Sequence, residues 1–566
     1  MVETHFKFFK RQPSFLYKNE PEIIFDCPAR ISPDKNEIPV YLFIKDFEKF
    51  DFSPLNVEIR LVCKGKMLAT HNFDEIAKYK RHEKYDLQGF RFSVEKPEIS
   101  DERLFVYPKL KYKICEAKKS RIQTKIAAVD NINTTSKFPF SVFIASQNYP
   151  NDEKNPAKFY DLHCHSSHTN DHIEFGAPIK FIADCADFCG LNGVAICDHS
   201  YDISCKPENY LEKDENLTHW QDLQDECKEN YGNIEVYLGE EISVMRNGGN
   251  AVHLGAIHPK TYVWAQENKQ TSDSPSPPAS PLFIHGTADG ARKGYERKSE
   301  PTMIEAINSL NEIGSIVFAA HTGEIPNIFH RLFLRRDHWR LEDLQNLPKH
   351  SIMPVTQALN GKFDKTWRRA RKLWVKLLLS NPRQSHQKHS TLIAGNDAHG
   401  DFNRYRAVSV PFLFVNEDFE RHFAKARTGI YGENLIDAVK NGQTFISDGP
   451  YICVTIKQAV PAAEAQNPAE PKTNTANATA KITVKSSKEF GRIAKLWVFS
   501  GNCKTQKEYC IYLNLSDETY SYSQEISQNF INSTDYLRAE TVCENTSGFK
   551  SFAATSAVFF NTSKDL

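Results

Sequence analysis

The chain of 566 residues lacks three features that would place it quickly in a functional class. Its 71 basic and 71 acidic residues cancel to a formal net charge of zero, so bulk charge gives no signal for nucleic acid or an anionic membrane. No stretch approaches the roughly 20 apolar residues of a membrane-spanning helix. The first residues, 1–20, also have no continuous apolar run typical of a signal peptide. We therefore expect a cytoplasmic protein with no membrane partner.

Paired C-x-x-C motifs are also missing, although the chain has 13 cysteines. An odd number of scattered cysteines is more typical of reduced thiols than of a disulfide framework. The length exceeds one ordinary domain and favours two to four.

The hydrophobic pattern divides the chain into three regions. Short alternating segments such as 40–44, 57–62 and 140–144 predict an N-terminal β-sandwich-like domain over 1–155. Over 156–450 helical and strand patterns alternate, which predicts an α/β unit with a mainly parallel sheet or barrel. Strand-like runs return in 451–566 and predict a small β-rich domain with a flexible segment at 457–480. A Ser/Pro-rich stretch at 271–281, continuing to His285, predicts a surface excursion.

Potential metal ligands recur in the middle region at the ends of short apolar runs. The runs at 194–197, 234–238, 315–320 and 391–394 each end just before such a residue. In a βα barrel the loops after the strands converge on one active site. The eight candidates are His163, His165, His199, Glu241, His253, His321, Asp397 and His399.

Two of these candidates form a His-x-His pair, and two others form an Asp-x-His pair. On a strand, residues two apart point to the same face, so His163 and His165 can bind one ion or two neighbouring ions. Asp397 and His399 repeat that geometry with a carboxylate. Glu241 supplies a carboxylate able to bridge two cations. This mixture of imidazole and carboxylate suits Zn²⁺, Mn²⁺ or Fe²⁺.

The ordered motifs resemble those of the PHP superfamily, named for polymerase and histidinol phosphatase domains. They are Asp161-Leu-His-Cys-His165, Cys197-Asp-His199, Gly239-Glu-Glu241, His253-Leu-Gly255, Ala320-His321 and Gly395-Asn-Asp397-Ala-His399. The similarity covers about 159–450. Flanking segments such as Glu174-Phe-Gly176, 198–202, 400–404 and 442–450 look like the carbaryl-hydrolase-like branch of that superfamily.

This resemblance implies an α/β fold, a distorted (β/α)7 PHP barrel flanked by the N-terminal β-sandwich and the small C-terminal β domain. It also implies two or three divalent metal ions (Zn, Mn or Fe) held by the eight candidates and a ninth ligand. His168, Asp171 and His172 compete for that place, because Asn170 falls where many family members carry an aspartate. We favour Asp171, since the segment 171–176 matches the branch best.

The expected function is a metal-dependent hydrolase that uses a metal-activated water, with a phosphate ester as the expected small-molecule substrate. A phosphate ester needs further positive charge, for which Arg404, Arg406, Arg335 and Arg336 are candidates. Asp161 and Asp198 either orient ligand imidazoles or have plain turn roles. We assign catalytic roles to Arg404 and Asp198.

Two alternatives remain. The same site suits an amidase or carbamate-ester hydrolase, and a PHP-like unit also serves as a non-catalytic metal-binding scaffold when ligands are lost. The nearly complete ligand set favours hydrolysis over the scaffold.

Overall fold

We describe the fold from a computed structural model of the chain. It describes residues 20–560, except for the following ranges: 77–79, 85, 117–120, 133, 171–173, 207–208, 215, 247–249, 260–301, 327–330, 332–335, 349–352, 354, 381–390, 409–414, 458–478, 516–518, 527–529 and 531–533. The predicted surface excursion at 271–281, His285 and nearly all of the segment 457–480 therefore lie outside the described residues. None of the helices in the described part of the chain has the length and hydropathy of a membrane-spanning segment.

The N-terminal strands form two sheets that share one hydrophobic core. Val57, Ile59 and Leu61 alternate with more exposed neighbours, so each strand turns one apolar face inward. The four-stranded sheet has the order β1 (Glu22–Asp26), β3 (Glu37–Lys45), β7 (Leu87–Glu95) and β6 (Lys80–Lys84). The six-stranded sheet has the order β2 (Arg30–Ile31), β10 (Phe140–Ile144), β8 (Glu102–Glu116), β4 (Phe52–Cys63) and β5 (Lys66–Asp74), with β9 (Arg121–Ala128) paired to β8.

The largest element is a mixed sheet of 14 strands that runs from the middle of the chain into its C-terminal part. Its order is β19 (Thr391–Gly395), β18 (Val355–Asn360), β17 (Ile316–Ala319), β16 (Ala251–Ile257), β15 (Glu235–Met245), β12 (Gly193–Ile196), β11 (Ala157–Cys164), β22 (Arg427–Tyr431), β23 (Thr444–Ser447), β30 (Lys550–Thr555), β29 (Tyr536–Glu544), β26 (Arg492–Asn502) and β27 (Lys507–Asn514), with β31 (Val558–Phe559) paired to β29.

The predicted α/β class, with its (β/α)7 barrel, is wrong: the described chain is mostly β and is built on large mixed sheets. Within the 14-stranded sheet, parallel pairing is limited to β11–β12–β15 and β17–β18–β19. Between them, β15, β16 and β17 pair antiparallel, and so do all strands from β22 onward. The hydrophobic pattern shows where strands and helices alternate, but it carries no information on whether neighbouring strands run parallel or antiparallel. The barrel prediction assumed parallel strands and is wrong for this reason.

Three small sheets, seven α-helices and a short 3-10 helix (Phe47–Lys49) complete the regular structure in the described part of the chain. The sheets pair β13 (Cys205–Lys206) with β14 (Asn209–Lys213), β20 (Tyr405–Val408) with β21 (Val415–Asp418), and β24 (Tyr451–Lys457) with β25 (Thr479–Lys485) and β28 (Ser521–Ile526). The helices are α1 (Ile179–Cys189), α2 (Ser200–Ile203), α3 (Thr218–Lys228), α4 (Met303–Glu312), α5 (Leu341–Gln345), α6 (Lys365–Ser380) and α7 (Leu435–Lys440).

Local sequence explains where two of these helices begin and end. Helix α4 starts at a capping box, in which the Thr302 hydroxyl accepts from the Glu305 N–H and the Glu305 carboxylate accepts from the Thr302 N–H. Helix α1 ends at Gly190, whose φ of 88° is the left-handed conformation that closes many helices.

Aromatic packing joins the N-terminal sheets to the middle of the molecule. Phe181 of α1 contacts Tyr41 and Phe43 edge to face, with ring centroids 5.5 and 5.4 Å apart, and Phe402 packs on the same tyrosine at 5.3 Å. All four side chains belong to one buried cluster that continues into C-terminal strands. The domain boundaries at 155 and 450 remain a prediction.

Candidate metal centre

Backbone hydrogen bonds align the two ligand pairs of the sequence. The Asp397 N–H donates to the His163 carbonyl at 2.8 Å, and the His165 N–H donates to the Ala398 carbonyl at 2.9 Å. Gly395 permits this approach, because a Cβ there would lie only 2.4 Å from the Cβ of His163. The strand ends β11 and β19 therefore place both pairs at one point.

The other ligands come from neighbouring strand ends. The Glu241 N–H donates to the Asp198 carbonyl at 3.0 Å, which sets His199 beside Glu241 in parallel register. On β16, His253 lies opposite Ser243 of β15, and its carbonyl accepts from the Ala320 N–H at 3.2 Å. Adjacent strands thus deliver Glu241, His253 and His321 to the same cluster.

The eight predicted side chains form three overlapping groups that could each hold a metal ion. Within each group the ligand atoms lie within 4.8 Å of one another. His165 belongs to two groups and Glu241 to two, so the three positions share ligands. The groups are His165, His199 and His399; His163, His165, Glu241 and Asp397; and Glu241, His253 and His321.

Glu241 is the centre of the cluster. It is 2% exposed, and imidazoles surround both of its carboxylate oxygens. A single carboxylate that meets this many imidazoles is suited to bridge cations. The distances are 2.8 Å to His253 Nδ1, 2.8 Å to His321 Nε2, 3.0 Å to His199 Nδ1, 3.6 Å to His163 Nε2 and 3.7 Å to His165 Nε2.

Unpartnered nitrogen atoms show that these residues fit a metal ion. Among the described residues, the buried Nε2 of His163 and Nε2 of His253 have no hydrogen-bond partner. Leaving such polar atoms buried and unpaired costs about 1–3 kcal/mol each. A divalent cation among them would satisfy those nitrogens together with the carboxylates, and His-plus-carboxylate sets bind Zn²⁺, Mn²⁺ and Fe²⁺.

The electrostatics hold three ligands, His163, His253 and Glu241, in metal-binding protonation states. Burial lowers the pKa of His253 to about 4 and also lowers that of His163, so both imidazoles are neutral at pH 7. Burial opposes ionisation of Glu241, but in the acidic range where a carboxyl group titrates, the protonated forms of His253 and His163 hold its pKa well below its usual range. Metal binding requires neutral imidazole and ionised carboxylate. Burial disfavours protonation of His199 and His321 as well, but hydrogen bonds to carboxylates raise the pKa of His199 and raise that of His321 to about 9, so these two imidazoles must lose a proton when a cation binds.

Hydrogen bonds to the outer ring nitrogens orient two of the imidazoles. Nδ1 of His163 lies 2.8 Å from Oε1 of Gln357, which also accepts from the His321 N–H at 3.0 Å. Nδ1 of His165 lies 3.2 Å from the Thr169 hydroxyl, which donates to Asp198 at 2.8 Å. Both rings therefore turn Nε2 toward the cluster.

Asp161 and Asp198 act on the ligands through backbone N–H groups and hydroxyl groups rather than through hydrogen bonds to the imidazole rings. Asp161 accepts from the N–H groups of His163 and Asn396 at 3.3 and 3.1 Å, so it fixes both ligand strands, and burial raises its pKa to about 6. Asp198 accepts from Ser166 and Thr169 and reaches His165 only through that threonine.

Two ligand residues have left-handed backbone conformations. His321 has φ of 30° and Asp397 has φ of 52°. Non-glycine residues in this region cost roughly 1–3 kcal/mol and concentrate at functional sites. The surrounding strands therefore hold both ligands in strained positions.

The favoured ninth ligand, Asp171, is not tested by the structure and stays a prediction. Asp171 and His172 lie outside the described residues, and the buried His168 points instead to Glu226, 3.5 Å away. Glu174 appears in the sequence analysis only as part of a flanking segment. Its Oε1 lies 3.4 Å from His399 Nε2 and 3.6 Å from His199 Nε2. It supplies a carboxylate to the group that otherwise has only histidines.

The arginines separate into two sets. Arg404 is buried away from the cluster, donating to Glu417 at 3.2 Å and to the Phe138 carbonyl at 2.6 Å, and Arg406 lies beside Asp26 at 3.6 Å. Arg335 lies outside the described residues, whereas the charge of Arg336 helps to lower the pKa of His253. The structure therefore does not bring Arg404 to the ligands.

Arg421 is the cation that the sequence patterns missed. Its Nη2 lies 3.4 Å from Oδ2 of Asp397, its Nη1 lies 3.8 Å from Glu324, and its guanidinium stacks on Tyr405 at 4.2 Å. No motif marks this arginine, which lies in a loop between β21 and β22.

A second buried group next to the cluster is fully paired. Nε2 of His258 lies 3.0 Å from Glu240, and its Nδ1 lies 2.8 Å from the Ser315 hydroxyl. The Ser200 hydroxyl donates to the other carboxylate oxygen of Glu240 at 3.0 Å. We call Glu240, His258, Ser315 and Ser200 the paired network.

Comparisons with known proteins give no family. No protein-family model and no curated protein matches the chain. Among solved structures, a calcium-binding mutant of Bacteroides uniformis β-glucuronidase 2 is 11% identical, with TM-score 0.19, covering 98% of this chain and 62% of its own. A Parabacteroides merdae β-glucuronidase with glycerol in its active site is 9% identical, with TM-score 0.16, covering 96% of this chain and 64% of its own. The chain thus spans less than two thirds of either enzyme, and similarity at this level carries no conclusion about function.

Proposed function

We propose that the protein is a metal-dependent hydrolase whose substrate is a phosphate ester. The observation that supports this most directly is the set of three overlapping ligand groups joined by Glu241 and His165. When bound, divalent cations lower the pKa of water and polarise a substrate oxygen. The order of the ligand motifs along the chain supports a place in the PHP superfamily for this chemistry.

The residues of the chain supply ligands, orientation and charge. Glu241 would be shared between two cation positions, and Glu174 would complete the third with His165, His199 and His399. Gln357 and Thr169 hold the rings of His163 and His165 so that Nε2 faces inward. These roles need no protein nucleophile.

Positive charge beside the cluster favours a phosphate ester. Arg421 borders Asp397, and its Nε has no hydrogen-bond partner among the described residues. A guanidinium placed there can donate to phosphoryl oxygens and stabilise charge that develops on them. Arg336 adds a second positive charge near His253.

Metal analysis followed by hydrolysis assays tests this proposal. We expect the purified chain to contain at least one equivalent of divalent metal and to hydrolyse an aryl phosphate with added Mn²⁺. His165→Ala should lose both properties, whereas His71→Ala, on β5 outside the cluster, should retain them. A wild-type protein without stoichiometric metal would refute the proposal, and hydrolysis of aryl carbamates but not phosphates would reassign the substrate.

A further inference from the structure

A second concave site lies where the N-terminal sheets, the loop before β22 and two C-terminal loops meet. We call it the junction cleft; it has a volume of about 570 Å³. Its walls come from β2, β8 and β10, from residues 419–427, and from residues 488–490 and 545–549. None of the metal-ligand residues described above lines it, so the hydrolase proposal leaves it unexplained.

Positive charge exceeds negative charge along the walls of the cleft. Arg30 is neutralised by Glu489 at 2.9 Å, and Lys425 has a looser contact with Asp448 at 3.9 Å. Three further cations have no carboxylate within ion-pair distance among the described residues, and they are Arg103, Arg427 and Lys488.

Arg427 is the most informative of the three. It is only 2% exposed, and its Nη1 donates to the carbonyls of Ala424 and Lys425 at 3.0 and 3.1 Å. Its guanidinium lies 4.0 Å from the ring centre of Tyr149, which also contacts Arg30 at 4.2 Å. These contacts fix the plane of the group and its Nη1 side.

The remaining edge of that guanidinium has no hydrogen-bond partner in the part of the chain that the structure describes. Its Nε and Nη2 are buried and make no hydrogen bond to any described residue. The N–H groups of these two atoms point the same way and form the edge that binds two oxygens of one carboxylate or phosphate. A buried charged donor without an acceptor is costly, so an oxyanion that enters the cleft and reaches this edge would satisfy both donors at once.

The pKa values of two neighbouring side chains reflect the same excess of positive charge. Burial lowers the pKa of Lys425, and the charges of Arg427 and Arg103 lower it further. Burial and the charge of Lys425 lower the pKa of His422, which also lines the cleft, to about 3. A bound anion would relieve this repulsion.

Apolar surface lies next to the charged groups. Phe419, Phe490 and Phe549 line the cleft, and Phe419 is 46% exposed. The Asn545 carboxamide organises the loop beside Phe549 by accepting from the Ser547 and Phe549 N–H groups at 3.1 and 2.9 Å. The volume exceeds that of a lone ion and suits a ligand with an organic part.

We propose that the junction cleft binds a small organic phosphate, with the phosphate on the Nε–Nη2 edge of Arg427 and the organic part against Phe490 and Phe549. Arg103 and Lys488 supply the balancing charge for a dianion. This site is separate from the metal centre and does not depend on the hydrolase function.

Calorimetric titration with phenylphosphonate tests this proposal, because its C–P bond is not hydrolysed at a phosphatase site. The His165→Ala chain serves as the reference, since it lacks the metal centre as a competing phosphate site. We expect saturable one-to-one binding, weaker binding of inorganic phosphate, and competition between the two.

Substitutions of Arg427 test whether phenylphosphonate binds in the junction cleft. Arg427→Gln should weaken phenylphosphonate binding at least about tenfold, because a bidentate charge-assisted pair is lost. Arg427→Lys keeps the positive charge but lacks the paired Nε–H and Nη2–H donors, so we expect its loss of affinity to be smaller than that of Arg427→Gln. Arg60, which is half-buried on β4 outside the cleft and also has a buried Nε without a hydrogen-bond partner among the described residues, gives the matched control Arg60→Gln, which should bind as the reference does.

An exposed double variant guards against misfolding of the Arg427 variants. Arg103→Gln with Lys488→Gln removes two surface charges, and we expect binding to weaken several-fold with an unchanged melting temperature. Unchanged affinity in this variant and in any Arg427 variant that folds, or no binding by the reference at millimolar phenylphosphonate, would overturn the proposal.

Discussion

Glu240 and Glu241 are adjacent on β15, are equally buried, and both contact histidine, yet their surroundings differ in kind. Glu240 belongs to the paired network, where His258 uses one nitrogen for the carboxylate and the other for Ser315. Glu241 faces five imidazoles, some of whose nitrogens have no hydrogen-bond partner among the described residues. Composition alone does not distinguish them. Unpaired ligand atoms distinguish the candidate metal centre, whereas completed pairing is typical of a structural cluster.

Exchange of the two carboxylates for amides tests this contrast most strongly. Glu241→Gln should abolish stoichiometric metal binding and lower kcat/KM on an aryl phosphate by roughly 10³-fold or more, because it removes the shared anionic ligand. Metal analysis and steady-state kinetics measure both effects, with Glu240→Gln as the neighbouring control. Equal metal loss in both variants would show that the contrast is false.

Removal of metal by a chelator is a second test of the contrast between Glu240 and Glu241. A cation at 1,000 times its Kd stabilises a folded protein by about 4 kcal/mol, so chelator should lower the melting temperature of the wild type and of Glu240→Gln. Glu241→Gln should show no such shift in a thermal melt.

Arg421→Gln should lower kcat/KM by roughly a hundredfold while leaving the metal content unchanged, because it removes charge from beside Asp397 without removing a ligand. The counterpart is Arg404→Gln, whose side chain is bound to Glu417 and to backbone carbonyls. That variant should lower the melting temperature and leave kcat/KM near its wild-type value. An effect of Arg404→Gln on kcat/KM equal to that of Arg421→Gln would restore the catalytic role that the sequence analysis assigned to Arg404.

Thr169→Val should weaken metal affinity by about 10–100-fold, because it breaks the link from Asp198 to the ring of His165. Competition with a fluorescent chelator measures the affinity. Thr483→Val, at a hydroxyl on the exposed face of β25, is the matched control and should leave the affinity unchanged.

The smallest effect is expected for the paired network itself. Glu240→Gln should lower the free energy of unfolding by about 1–3 kcal/mol, since the buried His258 and Ser200 lose a charged acceptor. Urea unfolding measures the change. If Glu240→Gln lost activity under conditions in which it is fully folded, the paired network would also serve catalysis.

The ligand residues could be predicted from sequence because a short apolar run lies close before or around each of them. The strand geometry assumed for the two pairs was not needed, since His165, Asp397 and His399 lie just beyond the ends of β11 and β19. Glu174 was visible as a flanking motif, but its approach to His199 and His399 depends on loop conformation, which no periodicity encodes. Arg421 reaches Asp397 from a loop 24 residues further along the chain. Strand direction was misjudged for the same reason: the apolar runs of β15, β16 and β17 are compatible with either direction.

The left-handed conformations of His321 and Asp397 have a consequence for how fast metal exchanges. The fold has already met the energetic cost of placing these two ligands before any ion arrives. An incoming cation would then find these two backbones already in position, so its loading would depend on the loss of its own hydration water and of the proton on His321 rather than on a movement of the chain.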